Sequence, residues 1–327
     1  SRNSKIVNQK PYICGLKSFN NTIVKAMHIS ITGDLGSGKS TVAKEICRIL
    51  GLSYLSTGLI QRRLGQEKGM DTLEFNKFAN NNKEVDEYID QQLKDVNDKT
   101  ESYVLDSRLG WHFVNKSFKI YAMAIDEVAA TRVLMDGKRV GEPNSGDLKT
   151  KIRHQKERRK IENDRFENIY GIKPSIFKDF DIIIDTSTAS IEDVTKLIIE
   201  LYQKHVSNQS YNKIWLSPQR IFPTNTAVLE SKNIYPESKS DAEAELPIRC
   251  VLYDREFYLF DGHRRLSAAI KAEVHFVPII LMAKDKEMIM DKINVISFIQ
   301  KNFDKKYINE WETAHGFKFF HYPNDSE

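Results

Sequence analysis

Cysteine is scarce in this chain. Cys14, Cys47 and Cys250 are the only three in 327 residues, and an odd number at these spacings matches neither a zinc site nor a disulfide framework. A reducing cytoplasm is the expected compartment. Long apolar runs are missing as well: no stretch approaches the roughly 18 consecutive apolar residues of a membrane span, so no membrane partner is expected. Charge is almost balanced, since 49 basic and 45 acidic residues leave a formal net charge of +4. A nucleic-acid partner would therefore need a local basic patch. The first 26 residues lack the apolar core of a signal peptide. Met27 stands directly before the first patterned strand, so residues 1–26 are read as an N-terminal extension and Met27 as the start of the folded core.

What is present is a globular composition, 40% hydrophobic and 29% charged, over a length that suits two domains, each able to bury its own core. From His28, strand-like runs alternate with helical patterns, which predicts an α/β fold with a parallel sheet wrapped by helices. Strands are predicted at Ser53 to Leu55, Tyr103 to Leu105, Phe118 to Met123 and Asp181 to Ile184. Capping boxes at Asp71–Glu74 and at Ser190–Asp193 open two of the helices. The first domain is read as residues 27–206, with a polar linker at 207–211. A smaller α+β domain follows over residues 212–300, with strand-like pieces at Ile214 to Phe222, Ile248 to Tyr253 and Glu256 to Phe260 and a hairpin turned at Asp254-Arg255. A helix from about Arg264 to Ala272 and an apolar run, Val277 to Met282, complete it. Residues 301–327, aromatic and charged without clear period, are read as a tail.

The strongest chemical signal is Gly33-Asp34-Leu35-Gly36-Ser37-Gly38-Lys39-Ser40. It fits G-x-x-x-x-G-K-S between a predicted strand and a predicted helix, the context that a phosphate-binding loop requires. Glycines let successive backbone N–H groups face phosphate oxygens, and the helix start adds its positive dipole end. Gly33, Gly36, Ser37, Gly38, Lys39, Ser40 and Thr41 are the predicted ATP contacts, with Lys39 reaching the β and γ phosphates and Ser40 holding Mg²⁺. Asp106, ending a predicted strand, is placed to hold the metal or its water, the alternative being a helix cap or turn former.

Phosphoryl transfer needs cations around the transferred group. Arg153, Arg158, Arg159 and Arg165 cluster in a polar helical segment, which reads either as a cover over the phosphates or as a solvated basic face. Arg62, Arg63 and Arg108 are placed to meet an anionic acceptor, and structural ion pairs would explain them nearly as well.

Residues 27–206 resemble the short, archaeal-type cytidylate kinases. The resemblance is carried by the phosphate loop, Ser56-Thr57-Gly58, the run Lys68 to Ala79, Asp106-Ser107-Arg108-Leu109 and the run Arg165 to Ile172. It implies an ATP-dependent nucleoside monophosphate kinase with a five-stranded parallel sheet, the arginine-rich segment as lid, and Ser56, Gly58, Arg62 and Arg108 near the acceptor. Leu59 stands where that family usually has an acidic residue, and Ile161 where a small polar one is common, so the acceptor is left open.

A second constellation, Tyr258 to Ala269, places a tight Asp-Gly turn before a helix that opens with His-Arg-Arg. Asp261, Gly262, His263, Arg264 and Arg265 form a predicted second phosphate site, or else a turn before a capped basic helix. Together with Pro223 and Val277-Pro278-Ile279 they resemble the ParB/sulfiredoxin superfamily over about residues 212–285. Sulfiredoxin chemistry is not expected, because Gly262 occupies the place of its cysteine. Partition is not expected either, because no helix-turn-helix pattern follows. A free serine kinase would want a glutamate near Pro223, where Thr224 and Asn225 stand and Glu230 is a distant candidate.

The expected function is an ATP- and Mg²⁺-dependent phosphotransferase with a small-molecule acceptor. A nucleotide-sensing regulator, a bifunctional kinase whose second domain phosphorylates a hydroxylated metabolite such as serine, and a kinase acting on nucleic acid are the alternatives. Oligomeric state is not legible.

Overall fold

Ile29 and Ile31 alternate with Ser30 and Thr32, and all four are buried, so the first strand must be covered on both faces, as a central parallel strand is. The computed structural model of the chain describes residues 27–320 except 71, 81, 137–146, 173–175 and 226–246. The first strand is β1 (His28–Gly33), followed by α1 (Lys39–Leu50), β2 (Ser53–Ser56), α2 (Thr57–Glu67), α3 (Thr72–Asn80), α4 (Lys83–Lys94) and β3 (Tyr103–Asp106). Then come α5 (Gly110–Phe113), β4 (Ser117–Met123), α6 (Asp126–Met135), the long α7 (Leu148–Tyr170), α8 (Ile176–Asp179), β5 (Ile182–Asp185) and α9 (Ile191–Val206). Strands β1 to β5 pair in parallel in the order β2-β3-β1-β4-β5.

Helix α1 buries Val42, Ala43 and Ile46, and α9 buries Val194, Ile198 and Leu201. Both pack on the face that carries Ile29, Ile31, Phe118 and Ile120. Ser190 caps α9 by accepting from Asp193 N at 3.1 Å, while Asp71, expected to cap α3, lies outside the described residues. The opposite face carries a second cluster around Trp111, Phe180 and Leu93, over which α7 runs. This is an α/β P-loop kinase-like fold.

The second half contains β6 (Ile214–Leu216), β7 (Ile221–Phe222), β8 (Ile248–Tyr253), β9 (Glu256–Asp261), α10 (His263–Lys271), β10 (Val277–Lys284), β11 (Met288–Met290), β12 (Ile293–Asn294), α11 (Val295–Asn302) and α12 (Lys305–His315). It does not build a separate sheet. Strand β6 adds in parallel to β5, β10 adds antiparallel to β6, and β8, β9 and β7 follow, so one mixed sheet of ten strands runs through both halves. The physical reason is the free edge of β5, whose unpaired backbone groups a neighbouring strand can satisfy. The polar connection before β6 is pinned in turn, with Tyr211 hydroxyl 2.7 Å from His205 Nδ1.

Two readings of the sequence need correction. Ile214 to Phe222 is not one strand: Pro218 removes a donor and a short 3₁₀ turn at Pro218–Arg220 interrupts it. Of residues 301–327, read as a tail, the described part up to 320 is not simply one, because α12 puts Ile308 and Trp311 at zero exposure in the core of the second half. Ile308, Trp311, Glu312 and His315 follow the i, i+3, i+4, i+7 spacing of one helix face, hidden in the sequence by the polar identity of the last two. No described helix is long and apolar enough to cross a membrane.

Candidate active site

The phosphate loop leaves the carboxyl end of β1, between β3 and β4, where the strand order reverses and α/β sheets bind ligands. Gly38 sits in the left-handed region at φ 79° and no other group comes within 4 Å of where its Cβ would be. The N-terminus of α1 thus faces open space. Ser37 Oγ is buried there without a hydrogen-bond partner, which a phosphate oxygen would satisfy. The loop therefore fits the triphosphate it is expected to hold.

Lys39 extends from this loop, and its Nζ donates to Asp34 O at 3.4 Å. Burial, reinforced by Arg108, pushes the Lys39 ammonium down from its ordinary value to about 8, against the pull of Asp106 and Glu162. Arg108 in turn donates to Gly33 O at 2.9 Å and pairs with Glu162 of α7 at 3.0 Å. Arg158 reaches the same glutamate at 2.9 Å. Burial pushes the Glu162 carboxyl up, but the two arginines outweigh it and hold it below the usual range. Helix α7 is thereby docked over the loop through Glu162, a residue the sequence reading did not single out.

Two cavities meet at Lys39. One, of about 300 Å³, runs along the phosphate loop and is bounded by Arg132, Thr186 and Ile191. Arg132 lies beside it with Nη2 donating to Thr186 O at 2.7 Å. The other, of about 120 Å³, lies between α2, α4 and α7 and is lined by Ser56, Gly58, Arg62, Asp106, Arg108, Arg158 and Arg165. Lys39 and Ser40 line both.

Asp106 ends β3 and accepts from Tyr54 hydroxyl at 2.9 Å and Ser56 hydroxyl at 3.3 Å, facing the same cavity as Ser40. Magnesium entering with a nucleotide would be held by these two side chains and phosphate oxygens. Among the described residues no group of three or more histidine, cysteine or acidic side chains forms a metal cluster.

The four lid arginines separate. Arg158 and Arg165 face the smaller cavity. Arg159 faces the other way, toward Asp34 at 3.3 Å and Asp126 at 3.6 Å. Arg153 is exposed, and the structure does not bring it to either cavity; its charge acts on Asp147 at the helix start. Arg63 is also exposed and pairs with Glu67 at 3.1 Å. Leu59 is 47% exposed and does not line the smaller cavity. Two acids line it instead: Asp86, paired with Arg165, and Asp90, which accepts from Tyr170 hydroxyl at 2.7 Å. Burial raises the pKa of both despite those partners. With Ile89 and Leu93 they share one helix face, and acids on an otherwise apolar stripe were the signal for them.

In the second half, Gly262 precedes α10 at φ 108°. Arg265 folds back over it, pairing with Asp261 at 3.2 Å and donating to Pro247 O at 2.5 Å. His263 Nε2 lies 3.1 Å from Thr224 Oγ1, and burial pushes the imidazole down to about 4. Arg264 is exposed, and Glu230 lies outside the described residues.

Comparison with known proteins places this geometry. The family model of an AAA domain matches residues 29–147. The cytidylate kinase of Pyrobaculum aerophilum is 35% identical over 175 residues, 53% of this chain and 90% of that protein. The chain belongs, through its N-terminal half, to the cytidylate kinase family. An S-adenosylmethionine-dependent nucleotide dehydratase of Lacinutrix mariniflava is 33% identical over 177 residues, 54% of this chain, and the chain spans only 36% of that relative's length. Among solved structures, shikimate kinase from Acinetobacter baumannii aligns over 55% of this chain and 94% of its own at 14% identity, with a TM-score of 0.36. The cytidylate kinase match accounts for 53% of this chain and leaves the remainder outside.

Proposed function

We propose that the kinase half transfers the γ-phosphoryl group of ATP to a nucleoside monophosphate with a cytosine-like base. The observation that carries this reading is the meeting of two cavities at one cation, Lys39, with Ser40 beside it. A donor nucleotide lies along the phosphate loop with its base near Arg132, and an acceptor lies in the smaller cavity, so the phosphoryl group passes Lys39 between them. Arg62, Arg108 and Arg165 meet the acceptor phosphate, and Arg158 meets the group in transfer, which positions both reactants and neutralises charge on the equatorial oxygens. Magnesium supplies further neutralisation of the phosphates when bound. Asp86 and Asp90 offer carboxylates to an exocyclic base amine, as carboxylates do toward cytosine N4.

The test is a screen of Mg-ATP phosphotransfer over nucleoside monophosphates, nucleosides, free amino acids and short DNA, read by phosphorus NMR. Transfer to CMP or a near relative, lost in Lys39→Ala, is expected. Transfer to serine by residues of the second half, or to DNA, would replace this reading, and tight nucleotide binding without turnover on any acceptor would favour a sensor.

For the second half, the resemblance to ParB/sulfiredoxin proteins supports a narrower proposal: a phosphate-binding accessory unit that presents Arg264 at the start of α10. Inorganic phosphate titrated against backbone amide resonances should move those of residues 262–265, and silence there would remove it.

A further inference from the structure

The hairpin between β8 and β9 places two consecutive residues in the left-handed region, Asp254 at φ 48° and Arg255 at φ 67°. A two-residue turn of this kind is comfortable for Asn-Gly and strained for arginine. What the strained residue reaches lies in the other half of the molecule. Arg255 Nη2 is 3.7 Å from Asp34 Oδ2 in the phosphate loop, and Nη1 is 3.8 Å from Asp126 Oδ1 at the start of α6. The same two carboxylates hold Arg159 of α7. Two acids are thus shared by two arginines, one from the lid helix and one from the second half of the chain.

Asp34 is 2% exposed and also accepts from Tyr121 hydroxyl and Ala124 N, both at 3.0 Å. A carboxylate this buried cannot be left without any cation except at a large penalty, so Arg159 can leave it only if Arg255 stays. Arg159 is not at rest in its present place either, because its Nε is buried without a hydrogen-bond partner. Its acceptor, Asp34, is the residue whose main-chain carbonyl meets Lys39 Nζ, so one residue stands between the guanidinium and Lys39, although Arg159 itself lines neither cavity that meets there. A cavity of about 250 Å³ lined by Arg108, Arg159, Arg255 and Tyr121 leaves it room to turn.

We propose that Arg255 is a positioning residue of the kinase site: it takes over the Asp34 and Asp126 carboxylates and so releases Arg159 to the γ-phosphoryl group. The proposal rests on the phosphotransfer reading above. It makes the second half of the chain a working part of the first.

Arg255→Gly removes the guanidinium at a backbone position that glycine prefers, so its Tm should equal or exceed that of the wild type. Calorimetry with a non-hydrolysable ATP analogue and with ADP is the first readout. In Arg255→Gly the affinity for the analogue should fall about tenfold while that for ADP stays within about twofold, since only the former recruits Arg159. Asp126→Asn in the same chain removes one of the carboxylates that retain Arg159 and should restore most of the loss, and Arg255→Lys should fall between. Unchanged discrimination in Arg255→Gly overturns the proposal, and so does a loss that Asp126→Asn leaves in place. Turnover is the second readout: kcat should follow the same order with KM for the acceptor little changed. Lys39→Ala run alongside separates the two readings. If the wild type shows no Lys39-dependent turnover, the kinase reading falls, while the calorimetric contrast still decides the role of Arg255.

Discussion

The chain contains two helices that begin the same way, each after a glycine in the left-handed region with no side-chain cap, Gly38 before α1 and Gly262 before α10. Each is followed by a base that burial pushes down, Lys39 to about 8 and His263 to about 4. The same physical cause has opposite consequences near pH 7: Lys39 stays charged and His263 is neutral. Their surroundings differ in the same sense. The first start opens onto space with an unsatisfied Ser37 hydroxyl, whereas the second is covered by Arg265, which is already held by Asp261 and Pro247 O. A strand, turn and helix in sequence therefore do not make equal anion sites; the charge state and the vacancy at the turn set how strongly each can hold one.

The sharpest way to break this comparison is to remove the charged base. Lys39→Ala should lower phosphotransfer by about 10²- to 10³-fold at saturating ATP, in line with the loss of one electrostatic group at a transition state. Steady-state kinetics checks it, and turnover within about twofold of wild type would end the distinction drawn between the two helix starts.

How much of this was legible in the sequence follows from how local each feature is. The phosphate loop was, because eight consecutive residues and their flanking strand and helix make it. Asp106 and Arg108 were, through their place at a strand end. Arg159 was found as a cation but not its direction, since which side of α7 faces the loop depends on Glu162 docking against Arg108. Asp34 stands at a position of the loop motif that admits any residue, and its partners Asp126, Tyr121 and Arg255 lie far along the chain. The continuous sheet was illegible for the same reason. A three-residue strand such as β6 carries too little pattern to announce its partner, and pairing with β5 is decided by an open edge that exists only after the first half folds.

Acidification should separate the two helix starts next. The folded His263 pKa, about 4, lies below its ordinary 6.5, so between those values the unfolded chain binds more protons. Stability is then full above about pH 6.5 and is lost as pH falls toward 4. Between pH 7 and pH 5 this contributes about 2 kcal/mol, visible as a drop in urea midpoint that His263→Gln should abolish; a midpoint difference equal in both proteins would show that His263 is not its source. Raising pH tests Lys39 in the opposite direction. Its charged form declines above about 8 in the nucleotide-free enzyme, so kcat/KM for ATP should fall about fivefold between pH 8 and pH 9 and approach about tenfold per pH unit beyond that. The stability sign differs from the activity sign: the cost of burying the ammonium is fully present below about pH 8 and recedes as pH rises toward 10.5.

The smallest effect comes from adding one methyl group at each turn. Both glycines have positive φ, so Gly38→Ala and Gly262→Ala should each cost about 1 kcal/mol of stability through backbone strain. The new Cβ meets different surroundings. At Gly38 no group lies within 4 Å, so the methyl enters the space left for phosphate, whereas at Gly262 it meets the Arg265 guanidinium at 3.1 Å. Melting temperatures of the two variants should accordingly be similar, while ATP affinity falls several-fold only in Gly38→Ala. The Arg265 side chain is long enough to yield to the methyl, and if it moves off the start of α10, phosphate-induced amide shifts at residues 262–265 should grow stronger than in the wild type. Equal losses of ATP affinity in both variants would mean that the second turn also takes part in nucleotide binding, and the contrast between an open and a covered helix start would have to be given up.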